Sequence, residues 1–185
     1  MAASDLIEQR GLAEAIQAIG ALKGEIVRAA RGSVGTTATA TRRRLVVLAM
    51  AQTGLRRALL NSRTPIRRSN RPGDYRAQIR PSQKGIPVPD YRWTHQPTGH
   101  PARHRILIDW PGGKKVAAGF VNPFGQYQAP LTTRLKGHDL AVALGPSAAA
   151  LLSILFSDAD LGKSAQALQN DFLKRLETAV DRRTG

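Results

Sequence analysis

The chain contains no cysteine, which excludes disulfide frameworks, thiolate metal sites and cysteine nucleophiles and suits a protein that folds in a reducing cytosol. Acidic residues are scarce, 13 against 28 lysines and arginines, and the formal net charge is +15. Aromatics make up 5% of the residues and form none of the strand patterns that stack on RNA bases. No apolar run approaches the ~20 residues needed to span a bilayer, and the start, MAASDLIEQRGLAEA, carries charges where a signal peptide requires its apolar stretch. The expectation is a soluble chain with no membrane contact. At 185 residues it has the length of one ordinary domain.

Motifs for chemistry are also missing. His95, His100 and His104 lie within ten residues, but their spacing matches no helical ligand pair, so no metal is expected. Gly162-Lys163-Ser164 resembles the end of a phosphate-binding loop but lacks the glycine five residues earlier, where Ser157 stands. No GxSxG elbow is present, and the few carboxylates are scattered. A non-enzymatic protein with no cofactor is expected.

What is present is basic charge in one region. From Arg42 to Lys84 there are twelve basic residues and one acidic residue, Asp74. Such a stretch repels itself unless a polyanion or an acidic protein face lies against it. Arg42, Arg43, Arg44, Arg56, Arg57, Arg67, Arg68, Arg71 and Arg76 are therefore the candidate residues for contact with a partner protein or with nucleic acid. Without a zinc finger or an evident helix-turn-helix, any DNA contact is to phosphates and blind to sequence.

The spacing of Leu12, Ile16, Ile19, Leu22, Ile26 and Ala30 predicts an amphipathic helix with Ser4 as cap. Gly32, Ser33 and Gly35 predict a break or kink. The pattern resumes with Thr41, Leu45, Leu48, Gln52, Leu55 and Leu59, with Gly54 dividing this helix and Thr53 capping the piece that follows. From Arg63 to His104 the proline- and arginine-rich chain predicts an extended arm with weak strands near Tyr75 to Arg80 and Ile86 to Val88, poorly suited to a core. RHRILIDW, PGGKK and VAAGFVN predict a β-hairpin, and YQAPLTTR a third strand that Pro130 places at an edge or bulge. Trp93, Trp110, Phe120 and Phe124 are expected on a packed sheet face. A short apolar helix follows Gly145-Pro146-Ser147. A last helix starts at the capping box of Ser157 and buries Leu161, Ala165, Leu168, Phe172, Leu176 and Ala179.

The predicted class is α+β: long N-terminal amphipathic helices, a small antiparallel β-sheet and a C-terminal helix. As one domain, residues 1–185 divide into a helical part (1–62), an extended basic arm (63–104), a hairpin and sheet (105–135) and C-terminal helices (145–185).

Read in order, these features resemble the minor tail protein Z (tail completion) family of tailed bacteriophages. The resemblance covers residues 11 to 182. It rests on the alanine- and arginine-rich helical start, the Ile86-Pro87-Val88 element, the Gly119-Phe120-Val121-Asn122 strand end, the strand ending in Thr132-Thr133-Arg134, and Gly145-Pro146-Ser147 before the C-terminal helix. The GSVG interruption departs from the family's long helix. The resemblance implies a structural virion protein, assembled as a six-fold ring at the head-proximal end of the tail. It would sit against tail terminator or tube proteins and the head connector, after a passage through the host cytoplasm. It brings no catalytic residues. A basic nucleic-acid-binding protein without sequence specificity is the alternative.

Overall fold

The computed structural model describes residues 3–69, 71, 73–126, 128–133 and 140–184. Arg134 and His138 lie outside them, as do the side chains of Ser4, Leu12, Ile16, Ile19 and Leu22. The fold is α+β. Helix α1 spans Ala3–Thr53 and α2 Arg57–Arg63; strands β1 (Ile66–Arg68), β2 (Ala77–Ile79) and β3 (Gly85–Pro87) lead to a 3-10 turn at Val88–Asp90. Then come β4 (Trp93–Gln96), β5 (His104–Trp110), β6 (Gly113–Val121), β7 (Leu131–Thr133), β8 (Leu140–Val142) and β9 (Leu144–Ser147), followed by α3 (Ala148–Leu155) and α4 (Asp158–Thr184).

The chain divides into two compact units: unit 1 takes Met1–Thr39, Arg68–Gln78 and Gly162–Gly185, and unit 2 takes Ala40–Arg67 and Ile79–Leu161.

Unit 2 holds the main core. Its five-stranded antiparallel sheet has the order β4-β5-β6-β7-β8. The alternation read in RHRILIDW sends Ile106, Ile108 and Trp110 inward, against Ala117, Val121 and Ala143. Strand β7 is interior to this sheet, not at an edge. Pro130 precedes its first residue, where its missing N–H costs no ladder bond, and the Pro130 carbonyl accepts from the Ala143 amide at 3.0 Å. The segment 63–104, expected as an extended arm, contributes Ile86, Val88 and Tyr91 to this core. Its prolines flank those apolar residues without replacing them.

Helix α1 meets the core with Leu45, Val46, Ala49 and Thr53, whereas Leu48 and Val47 are exposed. The buried seam is rotated from the predicted one because Val46 and Ala49 fit the core side. Gly54, at φ +73, ends the helix as expected, but Thr53 does not cap α2. The Thr53 hydroxyl donates back to the Ala49 carbonyl at 2.6 Å, and Arg56 occupies the N-cap without a side-chain hydrogen bond.

The Gly145-Pro146-Ser147 element divides its work among three residues. A Cβ on Gly145 would lie 2.9 Å from the Tyr91 ring, so only glycine lets that ring close on β9. The Pro146 carbonyl accepts from the Tyr91 hydroxyl at 2.6 Å. The Ser147 hydroxyl caps α3 by accepting from the Ala150 amide at 3.2 Å.

In unit 1 the expected break at Gly32–Gly35 is absent, since α1 runs through it. Close packing keeps these small residues in the helix. A Cβ on Gly32 would lie 2.7 Å from the Arg175 guanidinium, Ser33 is fully buried, and the Arg68 guanidinium covers Gly35. Arg175 also donates to Thr36 at 3.0 Å and to Asp171 at 2.8 Å.

The start of α4, at the end of unit 2, keeps half of the predicted capping box: the Asp160 carboxylate accepts from the Ser157 amide at 3.0 Å and hydroxyl at 2.9 Å. The predicted buried stripe of α4 does not form. Leu161 is 54% exposed, Ala165 is exposed, and Leu168, Phe172, Leu176 and Ala179 are half-buried.

Replacing Gly145 with alanine is expected to force the Tyr91 ring off its seat and destabilise the protein by about 1–3 kcal/mol, as overpacking does. Tyr91→Phe should cost about 1 kcal/mol through the lost hydrogen bond. Denaturant melts of both variants check this; wild-type stability for Gly145→Ala would contradict the packing described.

Candidate interaction surface

The nine candidate arginines divide between the units: Arg42, Arg43, Arg44, Arg56, Arg57 and Arg67 in unit 2, and Arg68, Arg71 and Arg76 in unit 1. They also divide by chemistry. Arg44 reaches the Asp160 carboxylate at 2.6 Å, fastening α1 to the start of α4. Arg68 lies along α1 and donates to Thr39 at 3.3 Å. Arg76 makes a two-pronged contact with Asp74 at 2.6 and 2.8 Å, and the Ser69 hydroxyl donates to the same carboxylate at 2.7 Å. These bonds, that of Arg76 first and of Ser69 second, bring the Asp74 carboxyl down to about 2, with Arg71 adding a smaller electrostatic pull. Arg44, Arg68 and Arg76, taken from the sequence as partner contacts, therefore make contacts inside the protein.

Arg42, Arg43, Arg56, Arg57 and Arg67 form no ion pair among the described residues. Arg43, Arg56, Arg57 and Arg67 are exposed and Arg42 is half-buried. Arg56 and Arg57 stand at the N-cap and first position of α2, where a cation opposes the helix dipole and no side chain caps the amide end. Local stability does not account for arginine there. A guanidinium group is by its chemistry suited to pair with phosphates or carboxylates.

Several interacting residues were not picked out in the sequence. Arg175, packed on Gly32, was discoverable from its Asp171 neighbour at i−4, and that contact holds the Asp171 carboxyl below its usual range. Arg31 sits 5.9 Å over the Tyr75 ring and Arg103 5.5 Å over the Phe120 ring. Arg92 pairs with Asp109 at 3.3 Å across elements far apart in sequence, which no local pattern could reveal. Trp110 packs inward as expected, while Phe124 is 82% exposed.

Of the three clustered histidines, the structure brings two together. The His95 and His104 rings, on paired strands, lie with Nδ1 atoms 2.8 Å apart, so one ring donates and the other accepts. His100 instead accepts from the Ala102 amide at 3.2 Å. Among the described residues no group of three or more potential metal ligands occurs, and no helix is long and apolar enough to cross a membrane.

Two outcomes are expected. Arg56→Asp should raise the stability of unit 2 by about 0.5–1 kcal/mol by capping α2 and complementing its dipole; a lower melting temperature would mean that Arg56 has a structural role. The contacts of Asp74 with Arg76 and Ser69 should loosen as the pH falls from about 4 to about 2. A carboxyl held low in the folded state stabilises it above the unfolded value, near 4, and loses that contribution on protonation. Amide exchange should show this in the wild type, whereas Asp74→Asn should be loose at every pH in that window. No family model, curated protein or solved structure matches the chain.

Proposed function

We propose that this chain is a non-enzymatic structural protein of a tailed-bacteriophage virion, a minor tail or tail completion component. It assembles as a six-fold ring at the head-proximal end of the tail, between tail terminator or tube proteins and the head connector, having folded in the host cytoplasm. The single observation that carries this reading is the incomplete burial of the long helices. Among the described side chains of α4 none is buried, although the helix carries Leu161, Leu173 and Val180, each 43–54% exposed. A chain that leaves so much amphipathic helix uncovered has surface for neighbours, as a ring subunit requires. The order of motifs that resembles the tail completion family supports the same reading.

Arg42, Arg43, Arg56 and Arg57, which form no ion pair among the described residues, favour a second reading, contact with nucleic acid through phosphates without sequence preference. In the ring reading the same arginines face either an acidic neighbour or the DNA passing through the channel.

Mass spectrometry of purified particles of the phage or prophage that carries the gene tests the proposal. The chain is expected in tail-bearing particles at a few copies each, and in tails purified away from heads. Its absence from particles, together with DNA binding that falls steeply with salt, would overturn the virion reading in favour of the second.

A further inference from the structure

Unit 1 contains a cavity of about 490 Å³ that three arginines line: Arg31 from α1, Arg68 from β1 and Arg76 from the turn joining β1 to β2. The same turn brings Ser69 and Tyr75 to the wall, and it is closed by the Ser69 amide, which donates to the Arg76 carbonyl at 2.9 Å.

Each guanidinium is held in place, two of the three by neutral groups. Arg31 lies 5.9 Å over the Tyr75 ring, a contact that fixes a cation without using its N–H donors. Arg68 lies against α1 at Gly35, where a Cβ would come within 3.3 Å of its Cζ. It donates from Nη2, to the Thr39 hydroxyl at 3.3 Å and the Gly35 carbonyl at 3.5 Å. Arg76 faces the Asp74 carboxylate, which takes two of the five N–H groups of its fork. Arg31 and Arg68 form no ion pair among the described residues. Three guanidiniums against one carboxylate leave the cavity wall with two positive charges.

Charge, donor geometry and size together identify the ligand. A phosphomonoester carries about −1.5 to −2 near pH 7 and offers three acceptor oxygens, which matches the surplus charge and the forked donors. A carboxylate or a phosphodiester brings a single negative charge. Inorganic phosphate would fill little of the cavity, whose volume lies in the range, roughly 300–1,000 Å³, of pockets that hold small organic molecules. Val34 and the Tyr75 ring supply apolar wall beside the arginines.

We propose that this cavity binds the phosphomonoester of a nucleotide, free or at the phosphorylated end of a nucleic acid strand, with the phosphate on Arg31, Arg68 and Arg76. Asp74 sets the direction of the Arg76 fork. The inference does not rest on the virion reading, and its arginines are distinct from Arg42, Arg43, Arg56 and Arg57 of unit 2.

Calorimetric titration of the full chain with adenosine monophosphate tests this, in about 0.15 M sodium chloride to screen general attraction to a basic protein. One bound nucleotide per chain is expected, with inorganic phosphate competing more weakly and adenosine not binding. Arg31→Gln, a change at an exposed side chain, should weaken binding about tenfold to a hundredfold, as loss of a charged hydrogen bond does. Arg31→Lys, which keeps the charge without the fork, should fall between. Arg43→Gln removes the same charge from an exposed arginine of unit 2 and should change nothing. In the wild type the nucleotide should shift the amide resonances of Arg31, Ser69 and Tyr75, a readout that stands even if Arg31→Gln fails to fold. A single-stranded oligonucleotide that binds more tightly with a 5′-phosphate than with a 5′-hydroxyl would support the site and assign it to a strand end. Equal binding of the two, with the mononucleotide bound, would support it as a site for the free nucleotide. No binding of the mononucleotide at millimolar concentration, adenosine binding equally well, unchanged affinity in Arg31→Gln, or an equal loss in Arg43→Gln would each overturn the proposal.

Discussion

The hydrogen bond from the Tyr91 hydroxyl to the Pro146 carbonyl joins parts of the chain 55 residues apart, and the architecture of unit 2 is arranged around it. Around this tyrosine, the Val88 amide donates to the Ala143 carbonyl at 2.8 Å, the Ala149 amide donates to the Ser82 carbonyl at 3.1 Å, and β3 pairs with β9. Each contact carries the entropy of closing a long loop, and together they share it. Burial keeps the phenol protonated: desolvation, and secondarily the charge of Asp90, push the Tyr91 hydroxyl well above its ordinary range. A tyrosine hydroxyl is a donor near neutral pH in any case, and the upward shift extends that into alkaline solution.

The basic residues fall into two physical groups that a count of charges cannot separate. Arg44, Arg68, Arg76, Arg92 and Arg175 act within the chain, using the planar guanidinium to reach a carboxylate, a hydroxyl or the surface of a helix at a glycine. Arg42, Arg43, Arg56, Arg57 and Arg67 have no such ion pair among the described residues, so they contribute part of the chain's excess positive charge. The stripe read along the sequence is thus part framework and part free charge.

Local signals were legible where the physics is local. The hairpin from His104 to Val121 was readable because alternation and the Gly112-Gly113 turn act over neighbouring residues, and Gly54 was readable because a helix stop does too. One local reading failed, since the Thr53 hydroxyl turns back to the Ala49 carbonyl instead of capping α2; the other failures came where a distant residue decides. Gly32 reads as a helix breaker until Arg175 is seen packed on it. Leu48 reads as core until Val46 and Ala49 are seen to turn the other side of α1 inward. Pro87 and Pro89 suggest an arm until Ile86, Val88 and Tyr91 are found in the core between and beside them. At the candidate surface the sequence supplied the arginines, and only the carboxylates' positions could say which were already engaged.

Arg56 separates two pressures that usually act together on a sequence. At the N-cap of α2, with an extended backbone at φ −74 and ψ 142, folding alone favours serine or aspartate. A library of this chain sorted only for heat resistance would move toward those residues and exchange the arginine early. If the same library were sorted by the biological task, enrichment or loss of Arg56 would show whether its charge serves anything beyond the fold. That comparison converts a missing helix cap into an evolutionary marker, readable without knowing in advance what the protein touches.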